Sequence, residues 1–287
     1  MQFNSFETLA ASNPALIAKG PLALVFAEDK AELDSTLRHH LDLGFAQVLA
    51  FMPSDFTLAY DVAEKVLRVD MERPSGQPMI DMVNRVSDAC PDQWLYYCFN
   101  AEYLMYPFCE TRSVGEMLRF HAEERRSAML TYVVDLYAGD LAKNSNAVSI
   151  EGAMIDKAGY YALARPDENN HPRERQLNFY GGLRWRFEEH IPEAKRKIDR
   201  ISIFRAKPGA KLRPNFTFTD EEMNTYSCEW HNNLTAAVCS FRAAKALTTN
   251  PGSTHAIKSF HWHNSIPFEW HSRQLLDLGL MEPGQWF

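Results

Sequence analysis

Apolar runs of strand length alternate along this chain with segments whose apolar residues recur at every third or fourth position. Pro21 to Glu28 (PLALVFAE) is a continuous apolar run ending in an acid, the pattern of a strand buried on both faces. Asp29 and Glu32 then have capping-box spacing, Leu33, Leu37 and Leu41 follow at helical spacing, and Gly44 stands where a helix stops, which predicts a helix over 31–43. Ala46 to Pro53 (AQVLAFMP) reads as a second buried strand. Strand, helix and strand within about thirty residues make a βαβ unit.

The alternation continues. Leu58, Val62 and Val66 predict a helix; Met79, Val83 and Val86 predict another, starting near Pro74-Ser75 and stopped by Cys90-Pro91. Trp94 to Phe99 is the next strand, ending at the polar Asn100-Ala101-Glu102. Ser113 and Glu116 form a second capping-box pair ahead of Val114, Met117 and Leu118. Met129 to Tyr137 is rich in β-formers and ends at Asp135. From Gly139 to Gln176 the pattern weakens, and a long, partly irregular insertion is expected. Phe179 to Glu189 (FYGGLRWRFEE) reads as a glycine-hinged turn into a helix, and Arg200 to Phe204 as a short strand. Leu234, Val238 and Phe241 suit a helix or a helix–strand junction closed by Asn250-Pro251-Gly252. Pro267 and Gly279 bracket a last helix carrying Leu275 and Leu276. The fold class is α/β with a mainly parallel sheet flanked by helices. Residues 1–20 form a lead-in, 21–250 the main domain, and 251–287 a C-terminal helical extension packing on that domain.

Composition adds exclusions. At 287 residues, with 46% hydrophobic and 23% charged, the chain is long enough for a large core and ordinary for a globular protein. A net charge of −7 without a local basic run argues against nucleic acid or an anionic membrane surface as the main partner. Cys90, Cys98, Cys109, Cys228 and Cys239 are odd in number and contain no Cys-x-x-Cys pair, which reads as free, mostly buried thiols in a reducing compartment. The first residues lack a secretory pattern and no long apolar stretch occurs, so no transmembrane segment and a cytoplasmic location are expected. GxGxxG, the Walker loop, GxSxG and HExxH are all absent.

The pair His39-His40 with Gly44, then W-L-x-x-x-x-x-A-E-x-L-x-Y-P from Trp94, then Asp135-Leu136-Tyr137, then Phe179-Tyr180-Gly181-Gly182-Leu183-Arg184, occur in one order. That set resembles bacterial family 2 glycosyltransferases, from about residue 21 to about residue 245. The resemblance implies a GT-A-like, Rossmann-type fold and a nucleotide-sugar donor. It also implies Mg²⁺ or Mn²⁺ held against the diphosphate by an Asp-x-Asp pair at a central strand end. A further carboxylate in that family deprotonates the acceptor hydroxyl. The family's D-x-D-E falls here on Phe99, Asn100, Ala101 and Glu102; its Asp-Asn-Gly-Ser on Phe51-Met52-Pro53-Ser54, followed by Asp55; and its Asn-Glu on Ala27-Glu28. Polarity is lost at all three donor-site positions, a degenerate pattern that implies altered donor or metal use, or lost catalysis.

On this resemblance Glu102 and Asp135 are the catalytic candidates, and Glu28, Asp55, Asn100, Gly181, Gly182 and Arg184 the donor-binding ones. Asn100 with Glu102 would be the metal pair, with His261 and His263, which share a face if they lie on a strand, as further ligands. Each has a plain alternative. Glu102 caps a helix or pairs with an arginine; Glu28 begins a helix cap; Gly181-Gly182 with Arg184 make a turn and a surface salt bridge. The C-terminal histidines pack among aromatic residues, and Trp94, Tyr96, Tyr97, Tyr103 and Tyr106 form a core rather than a sugar-stacking platform. At the level of function the choices are transfer of a sugar to a glycan, lipid-linked or protein acceptor, a catalytically impaired domain that binds carbohydrate or a partner, or an unrelated α/β binding protein.

Overall fold

The computed structural model describes residues 1–226 and 233–286. Along the chain the elements are β1 (Gln2–Phe3), α1 (Phe6–Ser12), α2 (Pro14–Ile17), β2 (Leu22–Phe26), α3 (Leu33–Asp42), β3 (Gln47–Met52), α4 (Tyr60–Ala63), β4 (Leu67–Asp70), α5 (Gln77–Ala89), β5 (Trp94–Phe99) and β6 (Glu102–Met105). There follow α6 (Val114–Glu123), β7 (Ala128–Ala138), β8 (Ala153–Asp156), β9 (Tyr161–Pro166), β10 (Pro172–Tyr180), α7 (Gly182–Arg186), β11 (Asp199–Arg205), β12 (Ala236–Ser240), α8 (Arg242–Thr249), β13 (Ser265–Pro267) and α9 (Ser272–Asp277). The chain is α/β, with helices flanking mostly parallel strands. It divides into two compact units, the first made of Met1–Tyr103, Thr111–Met129 and Ile201–Asn224, the second of Leu104–Glu110, Leu130–Arg200 and Thr225–Phe287.

In the first unit the strands run in the order β1-β4-β3-β2-β5-β11. β2 is parallel to both β3 and β5, β3 to β4, and β4 to β1, whereas β11 is antiparallel to β5. β2 and β5 are apolar because both faces are covered: Leu22 through Phe26 and Leu95 through Phe99 are all buried. From β2 the chain steps outward to β3 and β4, then crosses back to lay β5 on the other side of β2. The order therefore reverses between β2 and β5, and in open α/β sheets the crevice outside the carboxyl ends at such a reversal is where ligands bind.

In the second unit β7 is parallel to β12 and antiparallel to β8, β13 pairs with β8, and β9 and β10 form a separate antiparallel hairpin. Tyr137, Leu183, Ala244, Leu247, Ile257 and Phe260 share one buried cluster, which fixes α7 and α8 against β7.

Most predicted elements form where the pattern places them, and five differ. Of Leu58, Val62 and Val66 only Val62 lies in a helix, the single turn α4, and the LRVD after Val66 is strand β4. Asp29 caps no helix: α3 starts at Leu33 after Glu32 in the left-handed region (φ 50), with no side-chain cap. Asp135 is not at a strand end, since β7 runs on to Ala138 and pairs Asp135 with Ser240. The stretch expected to be irregular holds β8 and the β9–β10 hairpin. Pro267 ends β13 rather than opening a helix, and α9 begins at Ser272. The Ser113–Glu116 capping box forms as predicted, with both reciprocal bonds present. Cys90, Cys98, Cys109 and Cys239 are free thiols, and Cys228 lies outside the described residues.

Candidate functional site

At the β2/β5 reversal the strand ends are stitched together by one amide. Asn100 is completely buried. Its Oδ1 accepts the Glu28 N–H at 2.9 Å, and its Nδ2 donates to Asp29 Oδ1 at 2.7 Å and to the Ala31 carbonyl at 2.8 Å. Both amide protons and one lone pair are thereby used within the protein. Ala101 follows in the left-handed region (φ 57), its N–H donating to Thr36 Oγ1 at 2.8 Å, and turns the chain from β5 into β6. Glu102 is buried as well and folds back so that Oε2 accepts the Phe99 N–H at 2.9 Å.

The neighbouring strand ends are apolar because three phenylalanines pack across them. Phe26 pairs in register with Phe51 on one side and Phe99 on the other. The Phe26 and Phe51 rings stack at 4.8 Å between centroids, and Phe99 tilts against Phe26 at 6.5 Å. All three are buried, so the carboxyl ends of β3, β2 and β5 carry a continuous aromatic row. Glu28 is half-buried at the mouth of this crevice, and Asp55 is exposed beyond β3. Phe99 and Ala101 offer no ligand, and the Asn100 amide is committed to protein partners. This donor set does not fit a divalent cation held against a diphosphate. His261 and His263 sit in coil and turn before β13, both exposed, with Trp262 between them directed inward. Among the described residues no group of three or more His, Cys, Asp or Glu is arranged to hold a metal.

The second unit brings the remaining candidates together. Gly181 and Gly182 lead from β10 into α7. A Cβ on Gly181 would lie 2.2 Å from the Tyr160 ring, and one on Gly182 (φ 62) would lie 3.0 Å from Asp135 Oδ2. Only glycine allows this approach. The Asp135 side chain is fully buried, and its Oδ2 accepts the Arg184 N–H at 3.3 Å. The Arg184 Nε stands 3.3 Å from Oδ1 as a counter-charge, yet Oδ1 has no hydrogen bond. Burial pushes the Asp135 carboxyl up to about 6, against the pull of Arg184 and of the Leu183 and Arg184 backbone N–H groups, while the nearby Asp156 carboxylate adds to the rise.

Four residues that the sequence pattern does not mark complete the cluster. Asp156, at the end of β8, receives the Tyr137 hydroxyl at 2.5 Å, the Trp262 indole N–H at 2.7 Å and Arg186 Nη1 at 3.0 Å, all on Oδ1. Arg186 also places its guanidinium 4.5 Å from the centre of the Trp262 ring. Tyr160 reaches in from the β8–β9 connection, and its buried hydroxyl has no hydrogen-bond partner. Burial, with the Asp156 and Asp135 carboxylates, holds that phenol well above its ordinary value. A signal for Asp156 was present: Ala153–Asp156 is an apolar run ending in an acid, as Pro21 to Glu28 is. Arg184 and Arg186 likewise alternate on α7 and serve the two acids in turn.

Two regions thus emerge, one at the β2/β5 strand ends holding Glu28, Asn100 and Glu102, the other around Asp135 holding Gly181, Gly182 and Arg184. An unbonded buried hydroxyl or carboxylate oxygen costs about 1–3 kcal/mol, which makes the second region the less settled of the two. No protein-family model matches the chain, and no curated protein matches it.

Proposed function

We propose that this chain is a cytoplasmic, GT-A-type, glycosyltransferase-like protein that moves a sugar from a nucleotide-sugar to a hydroxyl of a glycan, lipid-linked or protein acceptor. Asp135 takes the acceptor proton. The observation that carries this reading is the state of Asp135: one oxygen anchored by the α7 backbone, the other without a hydrogen bond, and a carboxyl that titrates near 6. Such a carboxylate is charged at neutral pH and basic enough to accept a proton from a positioned hydroxyl. The reversal of strand order at β2/β5 supports the donor half of the reading, because the half-buried Glu28 stands at the crevice where a nucleotide would enter.

The test is release of nucleoside diphosphate from a panel of UDP- and GDP-sugars with oligosaccharide acceptors, with and without Mn²⁺. Turnover is expected to fall as the pH drops below about 6, where Asp135 takes up its proton. Asp135→Asn is expected to lower turnover by roughly 10²–10⁴-fold while still unfolding cooperatively. Undiminished turnover in that variant contradicts the role. A second reading, a GT-A-like domain that binds carbohydrate without transferring it, is favoured by the Phe26–Phe51–Phe99 row and the saturated Asn100 amide. Under it a glycan binds and no nucleotide-sugar does.

A further inference from the structure

Asp135 Oδ1 and the Tyr160 hydroxyl are both buried and both lack a hydrogen bond. The surface beside them is aromatic. Trp185 is 40% exposed, and Gly159 lies so close beneath it that a Cβ there would stand 3.0 Å from the Trp185 ring and 3.9 Å from Trp262. Trp185 and Trp262 meet edge to face with centroids 6.5 Å apart. Next to Tyr160, Tyr161 is 44% exposed and stacked on Tyr180 at 5.2 Å. Charge in the cluster is balanced, with Arg184 on Asp135 and Arg186 on Asp156. Neither guanidinium is left over for a phosphate or a carboxylate. An exposed indole on the same short helix α7 whose backbone holds Asp135, a carboxylate oxygen that lacks a donor, and two guanidiniums already paired match an uncharged ring rich in hydroxyl groups.

We propose that Tyr160 is a cover over Asp135, displaced when a neutral glycan docks one sugar ring on Trp185 and gives Asp135 Oδ1 the hydroxyl donor it lacks. This rests on Asp135 being the acceptor-side acid and names its substrate class. Glycine both precedes the cover in the chain and lies against its ring. Gly159, before Tyr160, is in the left-handed region (φ 98), and the ring rests on Gly181, which has no side chain to hold it. Closed, the phenol hydroxyl is buried without a partner; open, it returns to water.

The test is calorimetric titration of the full chain with cellohexaose, maltohexaose and chitohexaose, without any nucleotide-sugar. At least one is expected to bind. Trp185→Ala should weaken that binding roughly tenfold by removing the stacking face. Tyr160→Ala should tighten it roughly tenfold, because the free chain no longer has to open. Tyr160→Phe, which relieves the unpaired hydroxyl in the closed state, should keep or raise the melting temperature and bind more weakly than the native chain. The proposal is overturned if none of the three glycans binds either the native chain or Tyr160→Ala. It is equally overturned if Tyr160→Ala binds no tighter than the native chain, or if Trp185→Ala binds equally well. A chain that binds these glycans but no nucleotide-sugar keeps the cover and loses the transfer reading; one that turns over nucleotide-sugars but binds none of the glycans does the reverse.

Discussion

Asn100 lies at the carboxyl end of β5, and its partners show why an amide is needed there. It gives one amide proton to the Asp29 carboxylate and one to the Ala31 carbonyl. An aspartate at this position would lose both donors and bring a second negative charge against Asp29. Asn100→Asp is therefore expected to destabilise the chain by about 2–4 kcal/mol, read from the midpoint of urea unfolding at pH 7. An unchanged midpoint would show that the stitch between β2 and β5 contributes nothing. The importance of Asn100 was legible from its place after a buried strand, but its role was not, because its partners at Asp29 and Ala31 lie some seventy residues earlier. Asp135 was visible as an acid in a β-rich run. Tyr160 was not, since nothing local distinguishes a tyrosine that turns inward from an exposed one.

Helices α3 and α6 each bury a histidine, and this sets an expectation at the level of elements. His40 donates Nδ1–H to the Thr36 carbonyl at 2.7 Å, and burial, with His39 beside it, pushes its pKa down to about 3. His121 donates to the Ala128 carbonyl at 2.9 Å and is pushed down by burial to about 4. In the unfolded chain both take up a proton near 6.5, so the unfolded state binds more protons and stability falls as the pH drops below that value. Each group adds a slope of about 1.4 kcal/mol per pH unit until its folded pKa is reached. Urea unfolding between pH 7 and 4.5 should show this loss, and the His40→Leu, His121→Leu double variant should show a shallower slope whatever its absolute stability. Equal slopes would contradict burial of the neutral rings. Elements with one covered face and a matching cap, such as α6 with Ser113 and Glu116, were readable from the sequence. The β9–β10 hairpin was not: along β9 nearly every residue is exposed, so no alternation of apolar and polar positions arises to mark it. β4 was hidden for a different reason. Its Arg68 breaks the apolar run, and its guanidinium is used on the carbonyls of Phe56, Pro53 and Ser54.

For the molecule as a whole, sequence pattern gave the α/β class, while the division into two interleaved units follows from pairings between strands distant in the chain. No helix among the described residues is long and apolar enough to cross a membrane. The proposed transfer turns on whether the β2/β5 crevice, whose strand ends are an aromatic row and a saturated amide, receives a nucleotide-sugar. The most direct measurement is the melting temperature of the full chain against a panel of UDP- and GDP-sugars, each with and without Mn²⁺. Glycosyl transfer predicts that at least one, near a hundred times its dissociation constant, raises the melting temperature by roughly 4–5 °C. A panel that leaves it unmoved, with or without metal, would contradict the transfer reading.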